Sequence, residues 1–230
     1  MSVFVKLIAA TPEADKVVAA AAKICYSPSG AAEIFDGLDP AKTASFLKML
    51  REAGHLSPFE HASFTFAIEG VSRVATHQLV RHRMASYSQQ SQRYVGMAGN
   101  GCIVPPSVEA NPEALAVFNE QTEAAQRAYE KLVSLGVPKE DARFILPHGA
   151  ETRIVVTMNA RELHHFFALR LCRRAQWEIR ELAREMLRAA REAAPVLFGM
   201  AGPSCVAEGA CREAHSCGQP YKDMEDVLSR

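Results

Sequence analysis

Fourteen consecutive residues, Arg81-His82-Arg83-Met84-Ala85-Ser86-Tyr87-Ser88-Gln89-Gln90-Ser91-Gln92-Arg93-Tyr94, hold three arginines, a histidine, three serines and three glutamines, with hardly an aliphatic side chain. No fold can place such a stretch in its core. Guanidinium forks, hydroxyls and amides offer many donors and little apolar surface, which is how a site holds phosphates and polar heterocycles. The rest of the chain must therefore build a scaffold that displays this segment. Ahead of it, Val71, Val74, Ala75, Gln78 and Arg81 recur at three and four, predicting a helix that delivers the arginines at its C-terminal end. If the chain then extends, Arg81 and Arg83 face one way and His82 the other. The plain alternative is a helix end whose cations complement its dipole. The run of amides and hydroxyls that follows favours a site.

The 230 residues suffice for one sizeable domain, expected over residues 1–230 with about 195–230 as a C-terminal tail. Basic and acidic residues balance at 26 each, which argues against nucleic acid or an anionic membrane as the main partner. A basic cluster inside a neutral chain points instead to a small anionic ligand. No apolar run approaches the roughly 18 residues that span a bilayer, and no export signal opens the chain, so a cytoplasmic protein with free thiols is expected.

Val3, Val5 and Leu7 alternate as in a strand. Thr11-Pro12-Glu13 reads as a helix start with Thr11 as N-cap and a body from Ala14 to Ile24, and a second helix is expected from Pro40 to Ala53, stopped by Gly54. Gly54-His55-Leu56-Ser57-Pro58-Phe59-Glu60-His61 is a turn leading into the strand Ala62 to Ile68, with Glu60 and His61 expected to pair. Gly96, Gly99 and Gly101 do not follow the dinucleotide fingerprint, so no Rossmann motif is predicted. Asn111-Pro112-Glu113 opens a long scaffold helix that closes at Gly136, and a short helix precedes Pro147. Thr152 to Met158 reads as a strand. Asn159 with Glu162 fits a capping box opening one helix from Ala160 to about Ala194, on which Arg170, Arg173, Arg174 and Trp177 would share a face. Cys205, Cys211, His215 and Cys217 lack a Cys-x-x-Cys pair, so thiols packing a Gly-rich tail are expected there and no metal. The predicted class is α+β, helix-rich with a small, mainly antiparallel sheet.

Arg81-His82-Arg83 followed after seven residues by Ser91 resembles the signature of the flavin-dependent thymidylate synthases. Further landmarks come in that family's order: the segment from Gly54 to His61, the Gly136-Val137-Pro138 to Leu146-Pro147 segment, Asn159-Ala160-Arg161, and Gln176-Trp177-Glu178-Ile179. The resemblance runs from about His55 to Ile179. It implies reductive methylation of dUMP to dTMP, with FAD as cofactor and with 5,10-methylenetetrahydrofolate and NADPH as co-substrates. It also implies a methyltransferase without an enzyme nucleophile, and a homotetramer with shared active sites. For dUMP it implies Gln78, Leu79, Val80, Arg81, Gln89, Gln90, Ser91, Gln92, Arg93, Arg143 and Arg170. For FAD it implies Ser57, Arg81, His82, Arg83, Gln89, Asn159, Ala160, Arg161 and His165, with His55 near flavin and folate. Arg170 is the residue implied to polarise the uracil ring, as a permanently charged guanidinium can. Many members of the family carry glutamate where this chain has Gln89. Ser91 has no evident base beside it, so a substrate hydrogen bond is expected rather than nucleophilic attack. The competing expectation is a single-stranded nucleic-acid-binding module using Arg81 to Arg93, with Tyr87 and Tyr94 for stacking.

Overall fold

The computed structural model describes residues 3–229. At its centre is an antiparallel sheet in the order β1-β2-β4-β3, built from β1 (Phe4–Ala10), β2 (Ser63–Ser72), β3 (Ala85–Gln89) and β4 (Glu151–Asn159). The inner strands alternate. Phe64, Phe66 and Ile68 of β2 and Ile154, Val156 and Met158 of β4 face the core, while Thr65 and Thr157 meet on the open face through a 2.9 Å hydroxyl bond.

Helices cover the apolar face. The N-terminal ones are α1 (Ala14–Lys23), α2 (Ala31–Asp36), α3 (Pro40–Glu52) and α4 (Arg73–Leu79). In the middle lie α5 (Pro106–Glu109), α6 (Pro112–Ser134) and α7 (Lys139–Ala142), and then α8 (Ala160–Arg170) and α9 (Trp177–Ala193). The short α10 (Pro195–Gly199), α11 (Ser204–Ala207) and α12 (Met224–Leu228) follow. On α9, Ile179, Leu182, Ala183, Met186, Leu187 and Ala190 form one buried stripe that lies against β1 and β2. Phe166 and Phe167 of α8 and Phe198 of α10 complete the layer, Phe198 meeting Phe64 edge-on at 4.9 Å. Each such buried ring contributes roughly 1.5–3 kcal/mol by area. The result is the helix-rich α+β architecture that the sequence predicts.

Local chemistry set the boundaries where it acted alone. Asp39 accepts from the Lys42 N–H at 2.9 Å to start α3, and Gly54 at φ 75° ends it. Asn111 accepts from Glu113 and Ala114 to start α6. Other expectations need correcting. Thr11 does not cap α1: its hydroxyl accepts from the Ser63 N–H at 2.9 Å, tying the end of β1 to β2, and the helix starts behind Glu13 in the left-handed region at φ 48°. Val71 belongs to β2 rather than to the helix, because Ser72 caps α4. The helix expected from 160 to 194 is two helices. It breaks over residues 171–176, where the Gln176 side chain accepts from the Glu178 and Ile179 N–H groups and Arg180 takes the freed Arg173 carbonyl at 2.7 Å. Arg170, Arg173, Arg174 and Trp177 therefore do not share one helical face. Arg173 instead pairs with Asp226 and covers the Tyr221 ring, pinning the tail. The long α6 buries Tyr129 alone, in a small cluster with Met97 and Ala142 apart from the main core.

Candidate active site

The displayed segment begins at a clamp. Ser72 ends β2 and caps α4 through its hydroxyl, 3.0 Å from the Ala75 N–H. Its own N–H and hydroxyl donate to the buried carboxylate of Glu178, at 2.5 and 2.6 Å. α4 then runs out into the turn at residues 80–84, and β3 recaptures the chain against β4. Arg-His-Arg is thus held between a helix end and an edge strand. The expected alternation is present, with Arg81 and Arg83 exposed and His82 3% exposed. Tyr87 fastens the turn from beneath, its hydroxyl donating to the Leu79 and His82 carbonyls at 2.8 and 2.7 Å.

Both ring nitrogens of His82 are engaged. Nδ1 lies 3.1 Å from Glu162 Oε1, and Nε2 lies 3.0 Å from the Nε–H of Arg170. Since a guanidinium can only donate, Nε2 is the acceptor and Nδ1 carries the proton toward Glu162. Burial pushes the His82 pKa down and the Arg170 charge adds to this, against the Glu162 hydrogen bond. The imidazole is therefore neutral at physiological pH. Arg170 also reaches the Gln78 carbonyl at 3.5 Å through one terminal nitrogen. Burial, then the nearby Arg81, lowers its pKa, but an arginine stays charged. His82, Glu162 and His165 are the one trio of potential metal ligands within 4.8 Å among the described residues. With both His82 nitrogens occupied and a guanidinium alongside, it is a poor cation site.

Next to this array opens a cleft of about 1010 Å³ whose wall includes Leu56, Met84, Asn159, Arg161, Glu162 and His165. Asn159 accepts from the Glu162 N–H at 2.9 Å, as the capping box predicts, but the Glu162 carboxylate turns to His82 instead of closing the box. Ala160 is buried and its N–H is spent on the Ala62 carbonyl at 2.8 Å. Arg161 pairs with Glu60 at 2.5 Å, so Glu60 is not the partner of His61 that the sequence suggested. His55 and Ser57 are exposed on either side of Leu56. Among the described residues the side chains of Arg81 and Arg83 have no hydrogen-bond or ion-pair partner. A roomy cleft, mixed in polarity, with unpaired cations in its flanking turn suits a large anionic cofactor such as FAD.

The remaining predicted ligands do not form a single group. Arg93 pairs with Glu140, whose backbone carbonyl accepts from Arg143 Nε at 3.0 Å. Ser91 Oγ accepts from the Arg93 N–H at 3.2 Å, and among the described residues no carboxylate or imidazole is hydrogen-bonded to it. Gln92 is buried with an unpaired Nε2, and Gln90 lies by the open sheet face near Arg153. Gln89 spends its amide donors on Thr76 and Thr152, at 3.1 and 3.2 Å, leaving its oxygen for a ligand. Leu79 is fully buried with its carbonyl taken by Tyr87, whereas Val80 is exposed and Gln78 half-buried. Among the described residues no hydrogen bond or ion pair joins the Arg93–Glu140–Arg143 group to Arg170 or His82. The sequence reading missed Glu140, Glu178 and the role of Glu162. Glu162 had a signal as the partner of Asn159 in the capping box, and Glu178 as part of the Gln176-Trp177-Glu178-Ile179 landmark, whereas Glu140 had none. It also missed His164, buried beside the cleft between Phe59 and Phe198.

Residues 6–196 match the Thy1 family model, thymidylate synthase complementing protein, and the chain belongs to that family. It is 53% identical over 218 residues to a flavin-dependent thymidylate synthase of Geobacter sulfurreducens, covering 94% of each chain. A second relative of that description, from Clostridium tetani, is 50% identical over 236 residues, covering 95% of this chain and 94% of the other. A solved structure described as a UMP/dUMP methylase PolB from Streptomyces cacaoi, bound with 5-Br dUMP, superposes with a TM-score of 0.76 at 27% identity, over 86% of this chain and 94% of that one. Within the family, its place is among the flavin-dependent thymidylate synthases. The similarity extends well before His55 and beyond Ile179, further than the motifs alone indicated.

Proposed function

We propose that the chain converts dUMP to dTMP, taking its one-carbon unit from 5,10-methylenetetrahydrofolate and its reducing equivalents from NADPH. Bound FAD supplies the redox chemistry, and the protein supplies position and charge. The observation that carries this reading is the Glu162–His82–Arg170 array beside the cleft. Carbon 5 of uracil is a weak nucleophile until electron density is pushed into the ring. A guanidinium held against N3 and its neighbouring carbonyl stabilises the charge that develops there. Arg170 suits this task because His82 fixes its Nε and the Gln78 carbonyl one terminal nitrogen, leaving the other terminal nitrogen for substrate.

Arg81 and Arg83 face outward as cation donors for phosphate, and His165, Asn159 and Arg161 offer polar contacts to FAD. Arg93, Arg143 and Ser91 hold the phosphate and sugar of dUMP. Among the described residues these share no hydrogen bond or ion pair with Arg170, and on this reading each complete site combines residues of two chains within a homotetramer. The nucleic-acid reading is disfavoured by Tyr87, which is turned inward and offers no stacking face.

Absorption spectroscopy of the purified protein with dUMP titration tests the proposal. A flavin spectrum that responds to dUMP is expected, and a colourless protein that takes up no added FAD would overturn it. Arg170→Ala should keep fold and FAD content while turnover drops by about 100-fold or more. Near-normal turnover would remove Arg170 from its role.

A further inference from the structure

Cys172 lies in the break between α8 and α9, and the tail brings three more cysteines to it. Cys172, Cys205, Cys211 and Cys217 line one small cavity of about 30 Å³, and none of them is in a disulfide. Cys205 and Cys217 lie within electrostatic reach of Cys172. His215, which spacing alone groups with the tail cysteines, is not part of this lining; its backbone carbonyl accepts instead from Arg174. The structure thus replaces a set of three thiols and an imidazole, all from one segment, with four thiols from two segments.

The tail supplies a second, independent observation. Residues 208–220 contain neither helix nor strand, and every one of them is exposed, until Tyr221 returns to the core. Ordering such a stretch costs backbone entropy that no apolar burial offsets. Stretches this poor in core are commonly pinned by a cross-link or a metal ion. Cys211 and Cys217 both lie inside it. The N–H of Gln219 donates to Cys217 Sγ at 3.4 Å.

We propose that Cys172, Cys205, Cys211 and Cys217 form a closed structural site for one thiophilic divalent cation, zinc, which fastens the tail across the α8–α9 break. Four thiolates suit tetrahedral zinc, and a cavity of this volume takes a single ion rather than an iron–sulfur cluster with its bridging sulfides. Zinc holds its sulfurs at about 2.3 Å, hence about 3.8 Å from one another. Among the described residues no three of these sulfurs stand within 4.8 Å of one another, so the exposed loop draws inward on binding. Four thiols release four protons and no electrons are exchanged. The resulting tetrathiolate carries two negative charges; Arg173 stands at the cavity wall but is shared with Asp226, and Glu213 stands at the same wall.

The test is metal analysis of full-length protein purified without chelator, alongside Cys211→Ser and Cys217→Ser, which alter only exposed loop positions. About one zinc per chain is expected in the parent and less than about a tenth of that in either variant. Cobalt substitution should give the visible bands of a tetrahedral tetrathiolate, at longer wavelength than flavin absorption. Removing zinc with a mercurial and a chelator should expose the 208–220 loop to protease while the flavin spectrum persists. A parent chain free of metal with all its cysteines open to thiol reagents would overturn the proposal. So would zinc retained by both serine variants, or iron with labile sulfide in place of zinc. None of these readouts depends on the methylation reaction.

Discussion

His164 shows how one side chain can carry pH dependence for the whole fold. Its ring is stacked on Phe198 and edge-on to Phe59, hydrogen-bonded to the Leu197 backbone, and its Nε2 has no partner. Burial first, then the Arg51 charge, pushes its pKa down to about 4. The unfolded chain binds the proton near the ordinary histidine value of about 6.5, so between these values the unfolded state holds more protons. This contribution is complete above about pH 6.5 and is lost as pH falls toward 4, reaching on the order of 3 kcal/mol. Urea midpoints at pH 7 and pH 4.5 measure it. His164→Leu, less stable at neutral pH, should show a clearly smaller drop between the two, and an unchanged drop would assign the acid sensitivity elsewhere. Nothing in the sequence marks His164 among eight histidines, because its character comes from rings distant along the chain. His82 stood out as a candidate because it is flanked by arginines in a stretch of guanidinium, hydroxyl and amide side chains.

Elements were legible where a cap residue and proline or a capping box stand together, as at Asn111 and Asn159. They were misread where a distant group competes. Thr11 has cap chemistry but answers to Ser63 across the sheet. The stretch Leu171-Cys172-Arg173-Arg174-Ala175-Gln176 contains good helix formers, yet α8 stops there because Gln176 starts a new helix and Glu178 is anchored to Ser72. That anchor joins the first turn of α9 to the start of α4, and so to the turn carrying Arg81 to Arg83. Glu178→Ala leaves the Ser72 N–H unpaired in the interior. It should lower stability by about 3 kcal/mol, and weaken flavin retention before global unfolding. Denaturant titration followed separately by circular dichroism and flavin fluorescence would show this, and coincident curves would argue that Glu178 supports the fold as a whole and not α4 in particular.

At the scale of the molecule, surface that one chain leaves open is informative. Phe144 is 84% exposed, Tyr94 73% and Met84 68%, near residues proposed for dUMP and FAD, and Val117 of α6 and Leu135 just past its end are open to solvent. On the proposed reading of a shared site, a second copy of the chain would cover such side chains. Sedimentation should give a tetramer, and mixing an inactive Arg170→Ala chain with an inactive Arg143→Ala chain should restore part of the turnover. A monomer that turned over normally would refute the shared site. Composition and spacing carry no signal for such an assembly, which only the family resemblance implies, because residues specify what lies inside one chain far better than what lies between two.

The strand order also dictates when the displayed segment can settle during synthesis. β3 pairs with β4 alone, and β4 lies between β2 and β3 although it begins only at Glu151. As the chain leaves the ribosome, the arginines and glutamines around β3 emerge early and wait without a partner until the last strand arrives. A stretch so polar can wait in water without aggregating, as an apolar edge strand could not. The polar composition that marks the segment as a candidate site also makes that delay harmless.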